Sequence, residues 1–169
     1  MLTPFLDDPA LAAVVLFGEA SKRRGVTVER WGRNRARRIL DMEGANPPAE
    51  RLAPRGASRR RATWDPLEVV RAVRSVGVPA SESRDAGGYL CNAVLYKTLE
   101  RLARRGLRVP ATFVHLPVPG GGAAKGVTAG RLAKAFAAVV DEACRRFLPA
   151  AASTPARRAR APRRAPRRG

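Results

Sequence analysis

Short apolar runs alternate with stretches of helical spacing along this chain. Ala12 to Phe17 is a near-continuous apolar run and reads as a buried strand of a parallel sheet, covered on both faces. Val26 to Trp31 alternates apolar and polar like a half-buried strand, with Glu29 near its end. Leu67, Val69, Val70 and Val73 fall at helical spacing, with Asp65-Pro66 as a start signal and Gly77 as a stop. A strand-like run, Val78 to Ser81, comes next. Asn92 to Arg105 is helical, with apolar residues at Leu95, Leu99 and Leu102, and ends at Gly106. Val109 to Leu116 is a further strand, and Arg131 to Phe147 an amphipathic helix capped at or beside Thr128. On that helix Leu132, Phe136, Val140, Cys144 and Phe147 share a face, which predicts a core position for Cys144. Leu6 to Leu11 is expected to form a short helix end. The proline- and arginine-rich segment 46–63 reads as a long surface loop, and Pro119 to Gly126 as a flexible one. Alternating strands and helices predict an α/β fold with a mainly parallel sheet.

The chemistry centres on Ser83 to Asn92, between a strand and a helix. Gly87-Gly88 permits a tight turn, and Asp85 is expected to cap the helix. Cys91 then falls in the first turns, where the helix dipole favours a thiolate. A lone cysteine is more often a buried structural thiol. A nucleophile needs a base, and the base an orienting acceptor. The single histidine, His115, lies near the end of the strand ending at Leu116. This places a site at the C-terminal edge of the sheet, where open α/β folds build theirs.

These residues carry a resemblance. Asp85-Ala86-Gly87-Gly88-Tyr89-Leu90-Cys91-Asn92, with Tyr96 and Leu99, resembles the nucleophile motif of the type I pyroglutamyl peptidases. Phe113-Val114-His115-Leu116-Pro117 is similar to that family's histidine motif. Glu29-Arg30, with Asn34, Asp41, Gly44 and Pro47, is similar to the segment that carries its catalytic glutamate, although Asn34 and Asp41 stand one residue closer together than is usual there. The match runs from about Ala12 to about Phe147. The resemblance implies Cys91 as nucleophile, His115 as base and Glu29 as the residue orienting it. It implies a three-layer α/β/α domain, removal of N-terminal pyroglutamate from peptides, no cofactor or metal, and often a homotetramer. Arg38 is a candidate for an arginine near the family's active site. Nothing before Ala12 resembles the family's first strand and its glycine- and phenylalanine-containing turn, so one strand and part of the substrate pocket are expected to be missing. On spacing alone, Glu29 reads better as an exposed partner of a neighbouring arginine, and the resemblance reverses that reading.

Charge adds a second theme. The net charge is +19, and the segment Arg51 to Arg61 and the tail Arg157 to Gly169 supply twelve of those charges without one acid. Such a balance attracts polyanions, although biased codon usage also produces arginine-, alanine- and proline-rich chains. The predicted division is a catalytic domain over 1–149 and an unstructured tail over 150–169 that binds nucleic acid weakly and without sequence preference. A catalytically silent family member and a basic nucleic-acid-binding protein remain as alternatives. Two cysteines do not make a disulfide framework. With no signal-like start and no apolar stretch near the ~20 residues needed to span a bilayer, the expectation is a cytoplasmic protein without membrane contact.

Overall fold

The computed structural model describes residues 5–37, 44, 46 and 49–148. Arg38, Asp41, Pro47, parts of the 46–63 loop and the tail 150–169 lie outside the described residues. A 3-10 turn at Phe5–Asp7 precedes β1 (Val14–Glu19), β2 (Val26–Glu29), β3 (Trp31–Arg33), β4 (Arg59–Arg61), α1 (Pro66–Ser75), β5 (Ala80–Ser83), α2 (Leu90–Arg104), β6 (Ala111–Leu116) and α3 (Ala129–Phe147). The main sheet has the order β1-β6-β2-β5. β1 pairs with β6 in parallel and β2 with β5 in parallel, while β2 and β6 run antiparallel. The fold is thus α/β with a mainly parallel sheet.

Alternation along each strand sorts the side chains onto two faces. Val15, Phe17, Val26, Val28, Ala80, Val114 and Leu116 point to one face, where Val69, Val70 and Val73 of α1 and Leu132, Ala135 and Val139 of α3 cover them. Val14, Leu16, Ala111 and Phe113 point to the other, under Leu95, Leu99 and Leu102 of α2. The polar residues that matter below share this second face. Both covers together leave all four residues of β2 buried. The helix starts follow from capping: the Asp65 side chain accepts from the Leu67 N–H and Thr128 from the Arg131 N–H.

Several expectations need correction. The alternating run from Val26 breaks at Arg30, and Trp31–Arg33 pairs antiparallel with β4. The segment expected as loop therefore ends in a strand, one made of three arginines. Arg59 lies over the Trp31 ring at 4.4 Å, and Arg60 pairs with Glu100 on α2. The strand predicted at Val78 begins at Ala80. Asp85 does not cap α2. Its carboxylate accepts from the Gly87 N–H, and the cap position is Tyr89, which makes no side-chain cap bond. The segment after Pro119 closes on itself through main-chain bonds such as Gly120 N–H to the Val127 carbonyl, and buries Ala124 and Val127. The face of α3 is displaced by one residue. Ala135 and Val139 are buried, whereas Phe136 and Cys144 are exposed, so Cys144 is not a core residue.

Candidate active site

Sheet register explains how Glu29 and His115 meet. Thr27 of β2 stands opposite His115 of β6, so Thr27 and His115 share a face. Glu29 lies two residues further along β2, which makes Glu29 and His115 a diagonal cross-strand pair. At that separation two long side chains reach each other. The His115 Nδ1–H donates to Glu29 Oε1 at 2.8 Å, with Glu29 fully buried and His115 4 % exposed. The second carboxylate oxygen, Oε2, is buried without a hydrogen-bond partner among the described residues. This bond fixes the tautomer and leaves Nε2 as the ring nitrogen available to other groups.

Cys91 enters from above this face. Gly87 has a positive φ of 82°, a conformation glycine adopts freely, and turns the chain from β5 toward α2. The adjoining Gly88 carbonyl accepts from the Arg37 N–H at 2.8 Å. Asn92, 1 % exposed, clamps the helix start: its side chain accepts from the Arg33 N–H and donates to the carbonyls of Arg33 and Arg35. Cys91 is thereby set in the first turn of α2, half-buried, against β1. Gly18 of β1 is the register partner of His115. A β-carbon on Gly18 would come within 2.8 Å of the Phe113 ring and 3.0 Å of the Cys91 sulfur. That bare backbone is what lets the thiol approach the histidine.

The electrostatics of His115 bring all three residues into one account. Burial alone pushes the imidazole below its ordinary value of 6.5. Interaction with the Cys91 thiol and the bond to Glu29, with the negative charge of both, outweighs burial and holds the group up at about 9. The structure thus brings Cys91, His115 and Glu29 together. It does not place them at a shared C-terminal sheet edge. Because β2 opposes β6, the glutamate arrives from one direction and the histidine from the other, and they meet on the sheet face beneath α2.

Sequence reasoning misses Arg23, in the turn between β1 and β2. Its guanidinium contacts Glu29, Ser83 and the Asp85 carbonyl. It also misses the roles of Gly18 and Ser83. Among the described residues, no three histidine, cysteine, aspartate or glutamate side chains converge as metal ligands. No helix there is long and apolar enough to cross a membrane.

The fold has solved counterparts. A pyrrolidone carboxyl peptidase from the hyperthermophile Pyrococcus furiosus superposes with a TM-score of 0.75 at 24% identity, covering 85% of this chain and 74% of that one. The pyroglutamyl peptidase I from Bacillus amyloliquefaciens gives a TM-score of 0.76 at 23% identity, covering 84% of this chain and 70% of that one. Among curated relatives, a pyrrolidone-carboxylate peptidase of Thermoanaerobacter sp. (strain X514) is 36% identical over 106 residues, which is 62% of this chain and 52% of the relative. One from Mycobacterium tuberculosis (strain CDC 1551 / Oshkosh) is 37% identical over 114 residues, 65% of this chain and 50% of the relative. The chain therefore spans about half the length of these relatives. The family model for pyroglutamyl peptidase matches residues 3–141, and with the fold in agreement the chain belongs to the pyroglutamyl peptidase family.

Proposed function

We propose that this chain is a cysteine peptidase that removes pyroglutamate from peptide N-termini. The observation that carries the proposal is the buried 2.8 Å bond between His115 and Glu29 beside a half-buried cysteine at a helix start. In this reaction His115 Nε2 takes the thiol proton of Cys91, and the thiolate attacks the carbonyl carbon of the pyroglutamyl residue. The carbonyl electrons move to oxygen. α2 has no side-chain cap, and its first main-chain bond runs from the Ala93 N–H to the Tyr89 carbonyl. The amides ahead of Ala93 are the donors suited to that oxyanion. Collapse breaks the peptide C–N bond, and the departing amine takes the proton from His115. Water, deprotonated by His115, then attacks the thioester, releasing pyroglutamate and restoring the thiol. Glu29 holds the ring in the working tautomer throughout. The substrate is a peptide with an N-terminal pyroglutamate.

The test is release of a coumarin amine from pyroglutamyl-aminomethylcoumarin. The wild-type chain is expected to release it and Cys91→Ser to fall to the uncatalysed background. Release that survives Cys91→Ser, or none from the wild-type chain, defeats the proposal.

One observation favours a second activity beside this one. Arg33, Arg35, Arg51 and Arg59 line a hollow of about 450 Å³ with Glu50. A cluster of four arginines against one glutamate suits polyanions held by counterion release. Retention on heparin should fall steeply with salt and weaken in Arg51→Ala/Arg59→Ala. Unchanged retention in that double variant removes the hollow from consideration.

A further inference from the structure

We propose that Arg23 is a positioning residue of this site: its guanidinium offsets the charge of Glu29 beside His115 and ties that carboxylate to the main chain that delivers Cys91. The inference rests on the triad reading of Cys91, His115 and Glu29. One nitrogen, Nη2, donates to the Asp85 carbonyl at 2.7 Å, to Ser83 Oγ at 3.3 Å and to Glu29 Oε1 at 3.3 Å. Oε1 is the same oxygen that accepts from His115. Ser83 in turn is the register partner of Glu29, and its hydroxyl also accepts from the Asp85 N–H. Arg23 thus spans the end of β2, the end of β5 and the start of the loop into α2.

Burial makes this contact matter. Glu29 is wholly enclosed, and among the described residues its Oε2 has no hydrogen-bond partner. A carboxylate in that position is costly unless cations face it. Among the described residues its ion-pair partners are Arg23 and, once protonated, His115. Arg23 is one-third exposed where Glu29 is wholly buried, so its guanidinium is the charged group between that carboxylate and solvent, and removing it changes the charge balance around Glu29.

The groups facing His115 are Glu29 from β2 and Cys91 from α2, with Arg23 behind Glu29. Asp85 in the loop after β5 turns its carboxylate to the Gly87 N–H and to Arg33, and Glu19 at the end of β1 is exposed. A positive charge behind Glu29 weakens its hold on the imidazole proton. Arg23 therefore lets His115 become a free base at a lower pH than the buried pair alone would allow.

The chain has one histidine, so carbon-13-labelled histidine gives one Cε1–H resonance that reports the site without assignment. The wild-type midpoint is expected at about 9. Arg23→Gln and Arg23→Ala remove the charge, and both are expected to move the midpoint upward by about half a unit to one unit, a proton held roughly three- to tenfold more tightly. Arg23→Lys keeps the charge and is expected to match wild type. Denaturant unfolding of each variant checks that the fold is retained. A midpoint unchanged in both neutral variants overturns the proposal. So does a displacement in Arg23→Lys as large as in Arg23→Gln, because packing alone then accounts for the effect. A midpoint that Glu29→Gln leaves where it stands in wild type instead defeats the pairing of Glu29 with His115 and with it the triad reading, so the two failures are told apart.

Discussion

Cys91 is half-buried and Cys144 is exposed, so access and chemistry point to different thiols. Access alone favours Cys144 in a reaction with iodoacetamide. If His115 primes Cys91, the less accessible thiol is nonetheless the faster. Peptide mapping after brief alkylation is expected to find Cys91 labelled first, and labelling led by Cys144 would count against a primed nucleophile. The raised value of His115 also has a signed effect on stability. The folded imidazole titrates at about 9 against an ordinary 6.5. Its protonation therefore stabilises the fold fully below about 6.5, and that contribution is lost as pH rises through about 9. The stability difference between wild type and His115→Gln, from urea unfolding, is expected to be larger at pH 6 than at pH 9.5. At this scale Cys91 and His115 stand out because each sits in a patterned segment beside a strand or helix end, whereas Glu29 is singled out by the family resemblance and not by its spacing. Arg23 is not legible in the sequence, because Lys22-Arg23-Arg24 is an ordinary basic turn until the fold sets it beside Glu29.

α2 is docked at its start by one side chain. Asn92 meets the main chain of Arg33 and Arg35 at three points with its amide buried. Asn92→Ala leaves buried main-chain groups unpaired, at roughly 1–3 kcal/mol each when no water replaces the bond. Chemical denaturation is expected to show a loss in that range or above, and a change under half a kcal/mol would mean that water replaces the clamp. Elements themselves read well from sequence, since their apolar spacing is strong. Their orientations do not. Nothing in Val26 to Glu29 marks it as antiparallel to β6, yet that reversal brings Glu29 beside His115. On α3, two stripes overlap within one helical period. Alanine at Ala135 packs closest to the sheet, and the larger Phe136 is displaced to the side, where it meets Phe17 at 4.5 Å. β4 is hidden because three arginines carry no strand signal; stacking on Trp31 and pairing with Glu100 supply what apolar residues usually do.

For the molecule as a whole, we propose that residues 150–169 are separable from the folded domain. Ending the chain after Ala151 is expected to leave the unfolding transition unchanged and to weaken retention on heparin at low salt. A destabilised fold would show that the tail belongs to it. The sheet itself ends at β1, and among the described strands nothing pairs with its outer side. Five of its six residues are only half-buried, including Val14, Val15, Leu16 and Phe17. An open apolar edge of this kind is a template for another chain, and the +19 net charge is what opposes such contact. That repulsion weakens once the screening length falls to about 8 Å near physiological ionic strength. The consequence is colloidal: the protein should stay monodisperse in dilute buffer and begin to self-associate as salt is added, a reversal of ordinary salting-in that light scattering reads directly.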